Sequence, residues 1–173
     1  MKRNNQSRNG NGLRFRPFLF GLILVILLTF LCSRYVVQLL LIKGRSMEPT
    51  YHNWEFALID RRDRSFSTGD VAAVRCEGLH TLIVKRIAAA EGDRAVIVNG
   101  TLMVNGQPSP LYPEGIFSVP GLLEQEQVLE EGCFLILGDN IEESVDSRDE
   151  RVGVIRQEDI VGKIIPQRDS AGK

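Results

Sequence analysis

The sequence predicts a mainly β fold: a single N-terminal transmembrane helix followed by a compact antiparallel β domain. Two observations lead to this prediction. An uncharged apolar run covers Phe18–Ser33, and the chain beyond it contains short segments rich in β-branched residues that are separated by turn signals. No sustained helical period occurs outside the apolar run. With 173 residues, the chain has room for about one domain.

A basic, polar tail occupies residues 1–17. It carries five cations and no acid, and its first twelve residues are rich in Asn, Arg and Gly, as flexible segments are. The remaining residues hold 16 cations and 22 acids, a formal charge of −6. The net charge of −1 therefore conceals a basic tail and an acidic domain, and it argues against a dedicated nucleic-acid-binding protein.

The apolar run predicts a membrane anchor at residues 18–37. Its sixteen uncharged residues rise about 24 Å as a helix, short of the roughly 30 Å hydrocarbon core of a bilayer. Extension into Tyr35–Val37, with Arg34 snorkelling, covers the difference. One alternative is a cleaved signal peptide, but no small-x-small cleavage site follows the run. The other is a buried core helix, which is seldom apolar on every face.

The charge distribution predicts the topology of the anchor. The five cations precede it and no comparable cluster follows closely, so the positive-inside rule places the N-terminus in the cytoplasm. Residues 38–173 then form an extracytoplasmic domain. Cys76 and Cys133 lie in that compartment, where a disulfide is permitted. Two cysteines alone leave open whether they pair or remain half-buried thiols.

The domain is expected to consist of short strands. Asn99–Gly100, between two of them, suits a type I′ hairpin turn, because both central positions of that turn need positive φ. Four prolines mark a loop region at about 107–132, which would cover or extend the core as a small cap. The segments predicted as strands are 55–60, 71–76, 81–88, 94–99, 101–105, 133–138 and 162–165.

Metal and phosphate chemistry find no support in the sequence. The chain has two histidines, His52 and His80, and neither an HExxH nor a CxxC spacing, so no metal site and no cofactor is predicted. The serine in Gly44–Glu48 misses the GxSxG elbow of many serine hydrolases, because Glu48 replaces the second glycine. A Ser-His-Asp triad stays open in principle, since only geometry defines it.

Three polar stretches stand out beyond the apolar run. They are residues 44–50 (GRSMEPT), residues 84–87 (VKRI) with the EGD sequence at 91–93, and residues 138–140 (GDN) with 144–148 (SVDSR). Each has a plain structural interpretation: Ser46 as a turn residue, Lys85 as a solvated lysine on an edge strand, and the third stretch as a polar turn.

Taken together, the three stretches resemble those of the bacterial type I signal peptidases. The match is to the SMxPT box, the KR…GD box and the GDN…SxDSR box, in the family's order and behind a single anchor, over about residues 18–165. One box alone is a weak signal, whereas three in order are specific. The resemblance implies a membrane-bound serine endopeptidase, a hydrolase with the β fold of the signal peptidase and LexA-like type.

The resemblance implies Ser46 as the nucleophile and Lys85 as the general base of a Ser-Lys dyad. A lysine with an ordinary pKa of about 10.4 is a poor base until it is neutral. Burial among the apolar neighbours of Lys85 would lower that pKa. Arg86 is a poor candidate for the base, because a guanidinium does not deprotonate usefully.

Further site residues follow from the same resemblance. Ser144 matches a family serine that hydrogen-bonds the lysine amine. Ser46 would supply a backbone N–H to the oxyanion hole. Some family members add a serine hydroxyl where this chain has Gly44, so either the backbone near Gly44 helps or a single donor suffices. Met47 matches a residue beside the substrate cleft, with core packing as its alternative role. The residues matching charge-pairing or structural positions are Asp139, Asn140, Asp146, Ser147 and Arg148.

The substrates implied are exported preproteins, cleaved after small side chains at P1 and P3 and bound by strand addition beside Ser46. The partners implied are these preproteins and the lipid bilayer, with a place near the secretion translocon and no nucleic acid. Two rivals stay open. A self-cleaving protease of the LexA-like type would share the dyad, although such proteins are soluble and cytoplasmic. An anchored β domain without catalytic activity would bind exported chains.

Overall fold

A computed structural model describes residues 15–113 and 115–166. The apolar run is helical, as predicted, within helix α1 (Phe15–Tyr35). The apolar side chains of α1 between Phe18 and Leu31 are exposed. Within the described ranges, no helix reaches the length and apolarity needed to cross a membrane. Most of the predicted basic tail lies outside the described residues, and the anchor at 18–37 stays a prediction.

Short antiparallel strands make up the rest of the described chain. Most of them coincide with the predicted segments, and the mainly antiparallel β fold is confirmed. The strands are β1 (Val37–Leu41), β2 (Phe56–Asp60), β3 (Val71–Cys76), β4 (Thr81–Ala89), β5 (Arg94–Val98), β6 (Thr101–Val104), β7 (Gln107–Pro108), β8 (Gln127–Val128), β9 (Cys133–Leu137), β10 (Ile155–Arg156) and β11 (Ile160–Ile164).

A seven-stranded sheet carries most of the domain, in the order β1-β2-β11-β3-β4-β9-β10. Strand β1 is an addition to the predicted elements, since it begins at Val37, where the anchor was expected to end. It pairs with β2 from Val37 opposite Asp60 to Leu41 opposite Phe56. This pairing makes β1 an edge of the sheet, two residues beyond the end of the helix.

A smaller four-stranded sheet has the order β7-β6-β5-β8. The Asn99–Gly100 turn joins β5 to β6 with φ values of 49° and 79°, so the predicted hairpin with two positive φ angles is present. The predicted loop region at 107–132 supplies β7, β8 and a short 3-10 helix, Gly121–Glu124. Phe117 and Leu123 of this region are buried and pack against the small sheet.

A groove lies between two strands of the large sheet. Strand β4 pairs with β3 along Thr81–Arg86, but it meets β9 only from Arg86 onward. The first half of β4 therefore leaves one edge without a partner strand among the described residues. This edge and the end of β1 both line an open groove of about 380 Å³. We call it the active-site groove; its lining residues are Leu40–Lys43, Ser46, Met47 and Thr81–Lys85.

The three cysteines are free thiols in this structure. Cys76 is buried, Cys133 is half-buried and Cys32 of the helix is exposed. The Cys76 thiol lies 3.5 Å from the carbonyl oxygen of Arg151. Of the two readings that the sequence left open for Cys76 and Cys133, the structure therefore shows the unpaired thiols.

Candidate active site

Ser46 and Lys85 lie in direct contact, although 39 positions separate them in the chain. Ser46 belongs to the turn that follows β1, and Lys85 lies on β4. The Nζ atom of Lys85 is 2.6 Å from the Oγ atom of Ser46. The Ser46 carbonyl accepts a hydrogen bond from the Asn140 N–H at 3.0 Å, which ties the turn to the segment after β9.

Lys85 is buried, with 3% of its surface exposed. Burial lowers the pKa of its ammonium from 10.5 to about 8, because the charged form loses hydration. The charges of Asp146 and Asp139 act in the opposite direction, and that of Arg148 adds to the lowering. No carboxylate of the described chain lies within 4 Å of the amine, so burial prevails.

Asp139 forms an ion pair with Arg86, which follows Lys85 on β4. Arg86 donates from Nε to Oδ1 of Asp139 at 2.7 Å and from Nη2 to Oδ2 at 2.6 Å. Thr50 also donates its hydroxyl to Asp139, at 2.5 Å. The hydrogen bonds to Asp139 raise the pKa of Arg86. The hydrogen bonds of Asp139 thus connect three segments: the turn that carries Ser46, strand β4 and the residues that follow β9.

Asp146 is held by a second arginine. Its side chain is fully buried and pairs with Arg148, whose Nε lies 2.8 Å and Nη2 3.0 Å from the two carboxylate oxygens. Asp146 also accepts the Gly138 N–H at 3.1 Å. Arg148 donates further to the carbonyls of Ile141 and Ser144. The pair therefore shapes the loop that faces Ser46.

Gly138 permits the close approach of two segments. A Cβ atom on this glycine would lie 2.5 Å from the Ser46 carbonyl oxygen and would also collide with the Ser144 side chain. Ser144 thus packs beside the turn that carries Ser46. Its Oγ atom is buried and has no hydrogen-bond partner, so the expected bond to the lysine amine is not made in this structure.

Ser147 and Asn140 occupy structural positions. The Ser147 hydroxyl accepts the Ile136 N–H at 3.0 Å, and the Ser147 N–H returns to the Ile136 carbonyl. Asn140 binds the Ser46 carbonyl through its backbone. Ser147 thus fastens the third polar stretch to β9, and Asn140 fastens it to the turn that carries Ser46.

Gly44 and Met47 lie on either side of Ser46 in the sequence. Gly44 has a φ of 101°, which favours glycine, and its N–H donates to the Asn53 side chain at 2.9 Å. That N–H is therefore already engaged and is not available to an oxyanion. Met47 is buried in the core with Ile42 and Tyr51, while it also lines the active-site groove. The Met47 side chain therefore contacts both the core and the active-site groove.

Sequence reasoning missed two members of this site. Thr50 ends the first polar stretch and binds Asp139, and Asn53 fixes the Gly44 backbone. The Pro49–Thr50 pair offered a signal only for a turn, and Asn53 lies outside the matched boxes. Within the described ranges neither His52 nor His80 hydrogen-bonds Ser46, so the Ser-His-Asp alternative has no geometric basis there.

The arrangement can perform nucleophilic catalysis. A hydroxyl in contact with a buried amine of lowered pKa is a nucleophile beside its base. Two ion pairs fix the surrounding segments, and a groove with a free strand edge leads to the hydroxyl. Within the described residues, no group of His, Cys, Asp and Glu side chains is placed to hold a metal ion.

Comparisons with known proteins point to one family. The model of the family "Signal peptidase, peptidase S26" matches residues 16–166. Signal peptidase IB of Staphylococcus aureus (strain Mu50) is 30% identical over 166 residues, covering 85% of each chain. Signal peptidase I P of Bacillus subtilis subsp. natto is 31% identical over 166 residues, covering 85% of this chain and 83% of the relative.

One solved structure is also similar. The crystal structure of a signal peptidase I from Enterococcus faecalis V583 matches with a TM-score of 0.47 and 19% sequence identity. The match covers 58% of this chain and 97% of that one.

Proposed function

The chain belongs to the signal peptidase family, peptidase S26, and from that premise we propose that Ser46 is its nucleophile and Lys85 its general base. The enzyme is a signal peptidase I, a serine endopeptidase that cleaves signal peptides. The observation that carries the assignment of the dyad is the 2.6 Å contact between Lys85 Nζ and Ser46 Oγ. Burial of the amine supports it, because a base must be neutral to accept a proton.

The acylation step uses the dyad directly. The neutral Lys85 amine accepts the Ser46 hydroxyl proton while Oγ attacks the scissile carbonyl carbon. The tetrahedral intermediate collapses as the resulting ammonium gives its proton to the leaving amine of the mature chain. The signal peptide then remains as an ester on Ser46. A water molecule that gives a proton to Lys85 hydrolyses this ester and restores the enzyme.

The oxyanion of each tetrahedral intermediate needs donors that are already in place. We assign one donor to the Ser46 backbone N–H. The Gly44 N–H donates to Asn53, so it does not supply the second one without a rearrangement. The turn is held through the Ser46 carbonyl and the Asn140 N–H, which keeps the nucleophile and its own amide in one orientation.

Two strand edges that have no partner strand among residues 15–113 and 115–166 support strand addition as the mode of substrate binding. The free edges of β1 and of the first half of β4 both line the active-site groove. An extended segment of a preprotein would complete backbone hydrogen bonds to them. Side chains alternate along such a strand, so P1 and P3 face the same wall of the groove. The same wall would then select the side chains at both positions, and we expect it to admit only small ones.

Signal peptidases I are typically membrane-bound, and we extend this to a specific topology. The proposal is a single-pass anchor at 18–37 with the N-terminus in the cytoplasm and residues 38–173 on the other side. The uncharged run, the basic tail and the exposed apolar side chains of α1 support it. Preproteins are the substrates; the bilayer and a place near the secretion translocon complete the proposed surroundings.

The test is cleavage of a preprotein by the detergent-solubilised full chain. We expect the parent and Ser65→Ala, a variant of an exposed serine, to release the mature protein, and Ser46→Ala to release none. Mass spectrometry of a slow substrate should find the signal peptide esterified to Ser46. Cleavage by Ser46→Ala would refute the assignment. A parent that binds the preprotein but leaves it intact would instead favour the non-catalytic binding domain, and cleavage of the chain itself would favour the self-cleaving type.

A further inference from the structure

A second groove continues the active-site groove towards the end of helix α1. It has a volume of about 680 Å³, and we call it the basic groove. Residues from β1 (Gln38), β4 (Thr81 and Leu82) and β11 (Val161) line it. Its charged or ionisable lining residues are Arg61, Arg75, Cys76, Glu77 and His80.

The two grooves share Thr81 and Leu82 and are therefore continuous. Lys85 lies four residues further along β4, at a separation of about 13 Å for an extended strand. An extended peptide that pairs with β4 and has its scissile carbonyl at Ser46 would bring its fifth residue level with Thr81. The basic groove is thus within reach of the same bound segment.

The basic groove lies at the end of the molecule where the helix joins the domain. The Arg61 N–H donates to the carbonyl of Val36, immediately after α1, and the Arg61 side chain donates to Gln38 at the start of β1. The active-site groove is lined by the opposite end of β1, from Leu40 to Lys43. With α1 as an anchor, the basic groove faces the membrane and Ser46 lies further from it.

The charge of the groove is positive on balance. Arg61 is half-buried and Arg75 exposed, and in the described chain neither has a carboxylate within 4 Å. Glu77 is the acidic residue of the lining, and His80 adds a titratable imidazole. Two guanidiniums against one carboxylate attract an acidic or hydrogen-bond-accepting side chain and repel a basic one.

We propose that the basic groove is a subsite for the signal-peptide residues at about P5 and P6, and that it selects acidic or neutral side chains over basic ones there. This inference rests on the proposed function. A signal peptide has its apolar segment in the membrane and its cleavage site beyond it. Its residues before the cleavage site therefore approach Ser46 from the membrane side, through the basic groove. Residues of the mature chain leave on the other side of Ser46.

The test compares three preprotein peptides that differ only at P5, carrying Asp, Ala or Lys, with the detergent-solubilised full chain as enzyme. We expect kcat/KM to fall in the order Asp, Ala, Lys, with about a threefold change per step at low ionic strength and less at high salt. Arg75→Glu should reverse the order, and Arg75→Gln should flatten it. Arg94→Glu, an exposed arginine on the small sheet, should keep the parent's order.

Each outcome decides a different statement. Equal rates for the three peptides, or a charge preference that Arg75→Glu leaves unchanged, would overturn the subsite. A second peptide series with Asp, Ala or Lys at P2′ tests the direction of the bound chain, and a charge preference found there instead of at P5 would overturn it. A parent that cleaves none of the three peptides would overturn the proposed function, and the subsite with it.

Discussion

Lys85 and Lys163 lie on strands of one sheet, yet the structure shifts their pKa values in opposite directions. Both are in register with Ala72 of β3, which pairs with Lys85 on one side and Lys163 on the other. Lys163 Nζ lies 2.9 Å from Asp70 and 3.2 Å from Asp63, and the hydrogen bond to Asp70 is the main cause of its raised pKa. Burial instead lowers the pKa of Lys85 to about 8.

The difference comes from the burial of Lys85 and from the groups with which the neighbouring carboxylates pair. Asp70 and Asp63 bind the Lys163 ammonium directly. The carboxylates nearest to the dyad, Asp139 and Asp146, are each held by an arginine instead. A lysine is thus made available as a base when arginines neutralise the carboxylates around it and its own contact is a hydroxyl. The comparison teaches that burial and charged partners, and not the position in the sheet, decide the pKa of each lysine.

The largest expected effect separates the two lysines by activity. Lys85→Met should lower kcat/KM for a preprotein at least about 10³-fold, because the nucleophile loses its base. Lys163→Met should stay within about threefold of the parent, since Lys163 makes no contact with Ser46. Cleavage kinetics on the two variants provide the measurement. An active Lys85→Met variant would remove the distinction between the two sites.

The pH profile should report Lys85 and not Lys163. Only the neutral amine accepts a proton, so kcat/KM should rise about tenfold per pH unit below pH 8 and level off above it. Between pH 6 and pH 8 this amounts to about fiftyfold, because half of the amine is neutral at its pKa. A substrate without groups that titrate in this range isolates the enzyme's pKa. A flat profile would contradict the role of Lys85 as base, and Lys163→Met should leave the profile unchanged.

Removal of a neutralising arginine should make Lys85 more like Lys163. Arg148→Met leaves the buried Asp146 carboxylate without its arginine, and both the carboxylate charge and the loss of the guanidinium should raise the pKa of Lys85. The rise in activity should then move to higher pH. Arg151→Met breaks an exposed pair with the same spacing, Arg151–Asp149, and should not move it. Profiles of the two variants that coincide with the parent's would show that Asp146 does not act on the amine.

Stability should respond to the two lysines with opposite signs. At pH 7 the parent buries an ammonium at Lys85, so Lys85→Met should raise the free energy of unfolding by about 1–3 kcal/mol. Lys163→Met removes a partly exposed ion pair and should lower it by about 1 kcal/mol or less. Denaturation of the solubilised chain measures both. Equal signs for the two variants would contradict the comparison.

The linkage to pH differs in the same way. The folded pKa of Lys85, about 8, lies below its ordinary value of 10.5, so between these values the unfolded state binds more protons and stability rises with pH. Lys163 has a raised pKa, so its stabilisation is present below pH 10.5 and is lost as the pH rises through the folded pKa. The advantage of Lys85→Met should therefore shrink between pH 8 and pH 10.

Local patterns predicted much of the fold. Short β-branched runs located most of the strands, because alternation and turn residues are local signals. The Asn99–Gly100 hairpin followed from the φ preferences of two residues. Strand β1 was missed because it adjoins the apolar run and shares its composition. Its strand character depends on pairing with β2, which is a partner distant in the chain.

The dyad could be named from the sequence, but its geometry could not be. Ser46 and Lys85 were singled out by three motif stretches in order, and such motifs are properties of the sequence. The 2.6 Å contact requires the turn that carries Ser46 to pack closely against the end of β9. A side chain at position 138 would prevent this approach, and glycine has none. The hydrogen-bond partners of the site residues could not be predicted either. Thr50 binds Asp139, and the Ser144 hydroxyl has no hydrogen bond.

The sequence by itself determined the chemical groups: an uncharged run, a chain of short strands, and a serine and a lysine within family motifs. Only the tertiary structure decided which groups meet. The reason is physical, because hydration and charge pairing depend on neighbours that come from other strands. Two lysines with the same intrinsic pKa therefore become a buried amine with a lowered pKa at position 85, where we propose the base, and an ion-pair partner at position 163.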